Sequence, residues 1–413
     1  MNLHPRRGMT LLLAMVAMGA VLGAQPLAPQ ASATATSSKK HKKKHKKILV
    51  ADRSTTRAGV IHTDTAMNVP LSRTRRHGRH RIFVNPWTEP TYADSTVGDN
   101  VDGEDLVVRK AAVDALGPYN GTVVVADSQT GRILSIVNQK LATKGAYQPC
   151  STVKIVVSLA SLSERIITPE EHLRITRRFS TDMTDAIARS NNLYFAKLGQ
   201  ELGFDRVERY GKLFGLGEKA GLDIPGEEAG YLADEPPTTG VGMMTSFGDG
   251  IRLTPLELTS IITTVSNGGT MYYLQYPRSQ EEVEKFIPRI KRVLDISDLT
   301  KEIKPGMMAA VEYGTARRAN YNPNEPIFGK TGTCTDTAQP GVHLGWFGSF
   351  NDTGKNKLAV VVLLTGGRGI SGPIASGIAG NVYHNLDQQH YFGPEQQALF
   401  PAALVSLQNC CRR

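Results

Sequence analysis

The 413-residue sequence predicts an α/β (α+β) domain: an antiparallel sheet flanked by helices, with a helical lobe inserted between the two parts of the sheet. Three observations carry this prediction. Two strand-like runs, 121–127 and 132–137, face each other across the turn Ser128-Gln129-Thr130-Gly131 as a hairpin near the start of the patterned region. Three further strand-like runs, 327–335, 343–351 and 357–365, follow one another near its end. The pattern between them is mainly helical, so both ends of one unit supply the sheet.

The chain opens with Arg6 and Arg7 before an apolar run from Met9 to Leu22 that ends in small residues, which reads as an export signal over 1–24. Leu22-Gly23-Ala24 and Ala31-Ser32-Ala33 both suit cleavage, so the cut falls as early as 24 or as late as 33. An uncleaved membrane anchor is the alternative, although the run is short for a span. Either way the protein is expected outside the cytoplasm, in the periplasm or cell envelope, where disulfides persist.

Residues 25–99 lack periodicity and are rich in Ser, Thr, Pro, Lys, Arg and His, as in a linker or solvated arm. The charge is concentrated there. Residues 1–86 hold seven Lys and nine Arg against Asp52 and Asp64, a balance of +14, which leaves −4 of the total +10 for the rest. A basic arm on a mildly acidic domain argues against a nucleic-acid enzyme with a cationic cleft. The blocks 39–47 and 73–81 suit anionic envelope lipid or polymer, or simply solvent. Their histidines lack the Cys or carboxylate framework of a metal site.

The folded domain is expected over 100–390. A helix at 105–116 stops at Gly117-Pro118, and the hairpin follows. The extended approach Gln148-Pro149-Cys150 turns into an apolar helix at Ser151. The helical stretch runs to about 214, clearest over 185–202, and 215–245 is loop-rich. A helix at 255–266 closes on Asn267-Gly268-Gly269, another lies within 304–318, and a last one spans 373–386 after the three strands. Residues 391–413 form a tail that carries Cys410 and Cys411.

Three short patterns carry chemistry. Ser151 and Lys154 are three apart, so a helix beginning at Ser151 presents the amine beside the hydroxyl. Flanked by Val153, Ile155 and Val156, such an amine can lose its proton and act as base, while the helix start offers N–H groups to an anion at Ser151. Alone, the spacing fits a capping serine and a solvated lysine better, and it recurs without meaning at Ser37 and Lys40. Ser190-Asn191-Asn192 opens a second helical run: Ser190 can relay a proton and Asn192 can hold an amide, or Ser190 can merely cap. Ser349-Phe350-Asn351 has the same form but ends a strand. Lys330-Thr331-Gly332-Thr333 lies on a strand, where Gly332 admits a close approach to the backbone and Lys330, Thr331 and Thr333 can grip a carboxylate; an ordinary edge strand fits equally.

Taken in order, Ser-x-x-Lys, Ser-x-Asn and Lys-Thr-Gly form the set found in penicillin-binding proteins and serine β-lactamases. Over about 100–390 the sequence resembles a penicillin-binding protein transpeptidase domain. The resemblance extends to 119–127 with 130–134, Gly221-Leu222-Asp223-Ile224-Pro225-Gly226-Glu227, 253–256 with Asn267-Gly268-Gly269, Glu312-Tyr313-Gly314-Thr315-Ala316, and 343–350. It implies a β-lactamase/transpeptidase-like fold and a serine D,D-transpeptidase or carboxypeptidase that acts on D-Ala-D-Ala stem peptides of peptidoglycan, with β-lactams as inhibitors. In those roles Ser151 is the nucleophile, Lys154 the base, Ser190 with Lys330 the proton relay, and Asn192 a support for the substrate amide. Thr331 and Thr333 bind the terminal carboxylate, and the N–H groups of Ser151 and Thr333 form the oxyanion hole. No metal, organic cofactor or nucleic acid is implied.

Cys150 and Cys334 occupy positions that some serine carbapenemases bridge, which implies a Cys150–Cys334 disulfide; two buried thiols are the alternative. That echo keeps a serine β-lactamase in view. Glu227 and Glu228 fall where such enzymes keep a water-activating base, but in a transpeptidase-like context. Larger transpeptidases carry a glycosyltransferase or folded pedestal where this chain has its basic arm, so transpeptidation and carboxypeptidase trimming both remain open. A non-catalytic β-lactam sensor or envelope scaffold is the third reading.

Overall fold

A computed structural model describes residues 90–393. The export signal, the two basic blocks, most of the 25–99 arm and the tail with Cys410 and Cys411 lie outside the described residues.

Asp105 starts the first helix, α1 (Leu106–Leu116), by accepting from Val107 N and Val108 N, and Gly117 ends it. The hairpin β1 (Gly121–Asp127) and β2 (Ile133–Val137) follows, then the short α2 (Gln139–Thr143). A 3₁₀ turn (Cys150–Val153) runs into α3 (Lys154–Ser163), so the serine sits one turn ahead of the α-helix rather than at its start. Next come a small hairpin, β3 (Leu173–Thr176) and β4 (Phe179–Thr181), and three helices, α4 (Met183–Ala188), α5 (Asn192–Leu202) and α6 (Phe204–Leu213). Within the loop-rich stretch, β5 (Tyr231–Leu232) pairs with β6 (Ile251–Arg252) around α7 (Val241–Phe247). After α8 (Pro255–Ser266), β7 (Thr270–Tyr272) pairs with β8 (Ile290–Val293), flanking α9 (Gln280–Glu284). The chain finishes with α10 (Ser297–Glu312), β9 (Ile327–Thr335), β10 (His343–Asn351), β11 (Leu358–Gly366) and α11 (Gly372–Asp387).

The main sheet has the order β2-β1-β11-β10-β9, antiparallel throughout, so the first strand pairs with the last, Val124 opposite Val361. All nine residues of β11 are buried, because helices cover both faces. Val360, Val362 and Leu364 pack with residues of α1 and α11, while Ala359, Val361 and Leu363 pack with residues of α3, α5 and α8. This alternation leaves β9 as the edge strand beside the helical lobe.

All twelve residues of α8 are buried. Its hydroxyls are accommodated by bonding back along the helix, Thr259 Oγ1 to Pro255 O at 2.8 Å and Thr264 Oγ1 to Ser260 O at 2.7 Å. A reciprocal pair of bonds between Thr254 and Glu257 starts it.

Four expectations are corrected. The helix expected over 185–202 is broken between Ala188 and Asn192. The helix expected within 304–318 begins at Ser297 and carries Pro305 inside it; burial of Ile303, Gly306 and Met307 outweighs the lost backbone bond. The hairpin at 173–181 falls within the stretch expected to be mainly helical. Attached structure also extends beyond 100–390: Asp99 pairs with Arg109 at 2.7 Å, Tyr92 bridges to Tyr119, and Phe392 is buried beside Tyr383.

Candidate active site

Ser151 and Lys154 meet because the turn between them is 3₁₀, in which residues three apart eclipse. Lys154 Nζ lies 3.0 Å from Ser151 Oγ. Cys150 enters the turn with φ 52°, and Thr152 fastens it with N and Oγ1 bonds to Pro149 O at 3.2 and 2.7 Å.

Lys154 is fully buried, and its amine is surrounded by oxygens: Ser190 O at 2.9 Å, Ser190 Oγ at 3.1 Å and Asn192 Oδ1 at 2.5 Å, besides Ser151 Oγ. Two of these, the carbonyl and the amide oxygen, can only accept. A neutral amine has two protons and one lone pair. Donating to those two acceptors leaves the lone pair for the Ser151 hydroxyl, the arrangement a general base requires. Burial, followed by the charge of Lys330, lowers the Lys154 pKa to about 6. The Phe195 ring, 5.3 Å from Nζ, supplies apolar surroundings that the sequence reading assigned to neighbours along the chain.

The break between α4 and α5 delivers Ser190 and Asn192. Ser190 adopts φ 56°, and the Asn191 side chain, not Ser190, caps α5 by accepting from Tyr194 N. Freed from capping, Ser190 directs both its carbonyl and its hydroxyl to Lys154. Asn192 Oδ1 is engaged by the same amine. The second Ser-x-Asn is structural: Ser349 is buried in β10 and donates to Val360 O at 2.9 Å.

On β9, Lys330 is fully buried and donates to Thr331 O at 3.1 Å; no hydrogen bond joins it to Ser190 among the described residues. Burial lowers its pKa to about 7. Its charge nevertheless acts on Lys154, so the second and third motif groups converge on the same amine. Gly332 serves a different contact from the one expected: a Cβ there would stand 2.9 Å from Pro149 O and 3.2 Å from the Thr152 methyl, so the glycine lets the Ser151 turn lie against β9. A disulfide between Cys150 and Cys334, Cα atoms 5.7 Å apart, fastens the same two segments.

Thr331 Oγ1 lies 2.6 Å from Thr315 Oγ1, and Thr333 Oγ1 accepts from Gly372 N at 2.7 Å. Sequence reasoning gave Thr315 and Gly372 no role. The only signal was the Gly314-Thr315 pair within a segment already noted. Glu227 accepts from Ala220 N at 2.8 Å and Gly221 N at 2.9 Å, and Glu228 from Gly145 N at 3.0 Å. Both carboxylates thus brace loops. A cavity of about 200 Å³ lined by Asn320, Asn351 and His384 contains none of the motif residues, so convergence of side chains, not cavity size, locates the chemistry.

The sequence is similar to stage V sporulation protein D of Bacillus subtilis, 28% identical over 282 residues, covering 60% of this chain and 43% of that protein. It is 25% identical over 382 residues to the peptidoglycan D,D-transpeptidase MrdA of Haemophilus influenzae, covering 72% of this chain and 58% of the relative. The chain therefore spans about half the length of these curated relatives. The crystal structure of Pseudomonas aeruginosa PBP2 in complex with WCK 5153 shares the fold, with a TM-score of 0.59 and 22% identity over 71% of this chain and 78% of that one. The penicillin binding protein transpeptidase domain profile matches residues 121–384, more than half of the sequence, and the chain belongs to that family.

Proposed function

We propose that this protein is a serine D,D-transpeptidase that acts on D-Ala-D-Ala stem peptides in peptidoglycan synthesis through a Ser151 acyl-enzyme. The observation that carries the reading is the buried Lys154 amine, 3.0 Å from Ser151 Oγ with its pKa lowered to about 6. Lys154 takes the Ser151 proton as Oγ bonds to the penultimate D-Ala carbonyl carbon. The N–H groups of Ser151 and Thr333 hold the oxyanion, and Thr331 and Thr333 hold the terminal carboxylate. When the C–N bond breaks, Ser190, backed by Lys154 and the Lys330 charge, protonates the departing D-Ala amine. An acceptor amine then attacks the ester, its proton passes to Lys154, and the Ser151 oxygen leaves with a proton.

Slow hydrolysis of the acyl-enzyme fits this reading, since Glu227 and Glu228 accept from the loop N–H groups of Ala220 and Gly145. Action in the periplasm or cell envelope after export fits the substrate. The basic arm suits anionic lipid or polymer there.

The test is the intact mass of the protein over time after addition of a penicillin, beside Ser151→Ala. A long-lived adduct on the wild type alone supports the reading. Rapid loss of the adduct with turnover replaces it with β-lactamase, and no adduct replaces it with a sensor or scaffold.

A further inference from the structure

Both β9 threonines are held by groups outside the three motifs, and both contacts constrain where a proton lies. Thr315 follows α10 in a turn that packs against Ala188, two residues before Ser190. Gly314 allows this contact, since a Cβ there would stand 2.2 Å from Ala188 O. Thr315 N donates to Ala188 O at 3.0 Å. The Thr315 hydroxyl has two acceptors within reach, Ala188 O at 3.4 Å and Thr331 Oγ1 at 2.6 Å. At 2.6 Å against 3.4 Å, the contact to Thr331 is the stronger one.

A threonine oxygen that accepts from a neighbour keeps its own proton for something else. Thr331 is buried, so bulk water does not take that proton. Thr333, which is exposed, keeps its proton for a simpler reason: its oxygen accepts from Gly372 N, and an N–H can only donate. A Cβ on Gly372 would stand 2.8 Å from both Gly332 O and Thr331 Cβ, so the start of α11 reaches β9 only as glycine.

We infer that Thr315 is a positioning residue: its hydroxyl donates to Thr331 Oγ1 and thereby turns the Thr331 proton toward a substrate carboxylate, as the Gly372 amide does for Thr333. The inference rests on the acyl-transfer reading above. Thr315 touches neither substrate nor nucleophile; it acts through Thr331. Because Thr315 is also bonded to Ala188, the same residue ties the Ser190 turn to the carboxylate-binding strand.

The test compares acylation of the full chain by a penicillin and by the methyl ester of the same penicillin, which lacks the anionic carboxylate. Wild type, Thr315→Val, Thr315→Ser, Thr331→Val and the double valine variant are measured. The expected result is that Thr315→Val loses about tenfold in penicillin acylation and little in ester acylation. Thr315→Ser keeps both rates, and Thr315→Val adds nothing once Thr331 is valine. Thr315→Ala is read the same way should the valine variant not fold. Equal losses on both probes, or a full additional loss in the Thr331→Val background, overturn the inference while the transpeptidase reading stands. A wild type that forms no Ser151 adduct removes both.

Discussion

Lys154 and Lys330 are the same residue type, equally buried, and differ in what surrounds the amine. Lys154 Nζ has four oxygens within 3.1 Å, two of which cannot donate. Lys330 Nζ has one hydrogen-bond partner among the described residues, the carbonyl of Thr331. Burial weakens the hold of both on a proton, to pKa values of about 6 and about 7. Only Lys154 also has its lone pair directed at a hydroxyl. Burial alone thus makes a lysine available as a base, and the number and type of its acceptors decide which lysine becomes one. Lys330, which holds its proton to the higher pH of the two, is the one better suited to remain a cation.

Substitution should separate the two roles. Lys154→Met is expected to slow acylation by a penicillin by about 10³-fold or more, the range for loss of a general base, read from adduct formation by mass. Lys330→Met is expected to cost about 10²-fold, the scale of one electrostatic contact to a developing charge. Stability should follow the same order. Removing Lys154 strands Ser190 O and Asn192 Oδ1, whereas removing Lys330 strands one carbonyl, so thermal melting should favour Lys330→Met of the two. Equal rate losses would abolish the distinction between the lysines.

The lysines sit on segments 176 positions apart, and the Cys150–Cys334 disulfide closes a sequence separation of 184 residues beside them. Replacing both cysteines by serine is expected to cost about 2–4 kcal/mol of stability, measured by denaturant unfolding. Acylation should fall only a few-fold, because Gly332 still lets β9 lie against Pro149 and Thr152. A loss as large as that of Lys330→Met would show that the disulfide, not the glycine contact, sets the distance between the two segments.

The two regions also differ in how legible they were. β1 and β11 announce themselves as apolar runs, because helices bury both faces of the sheet there, whereas β9 is marked by Lys330-Thr331-Gly332-Thr333 more than by hydropathy. The pairing of Ser151 with Lys154 follows from spacing. The start of a helical run at Ser190-Asn191-Asn192 is legible, but the sequence points to Ser190 as its cap where Asn191 takes that place, and a serine at φ 56° has no compositional mark. Thr315 was invisible for another reason: its partner is 16 positions away on a different element, and no periodicity encodes such a contact. Residues 90–99 look like part of the arm in sequence because polar bonds attach them, Asp99 to Arg109 above all, and hydropathy does not register an ion pair.

The smallest predicted effect is the most discriminating. A base must be unprotonated, so acylation should rise with pH as Lys154 loses its proton near 6. If Lys330 acts as a cation, the rate should fall again as it loses its charge above about 7, giving a narrow bell. Lys330→Met should alter both sides. The descending limb disappears with the group that produced it. The ascending limb moves to higher pH, since a positive neighbour that lowered the Lys154 pKa has gone; the displacement should stay under about one unit because burial, the larger cause, remains. A descending limb that survives in Lys330→Met would assign it to another group and leave Lys330 as a packing residue of β9. An ascending limb that does not move would mean that the two amines do not sense each other, and that only the partner sets distinguish them.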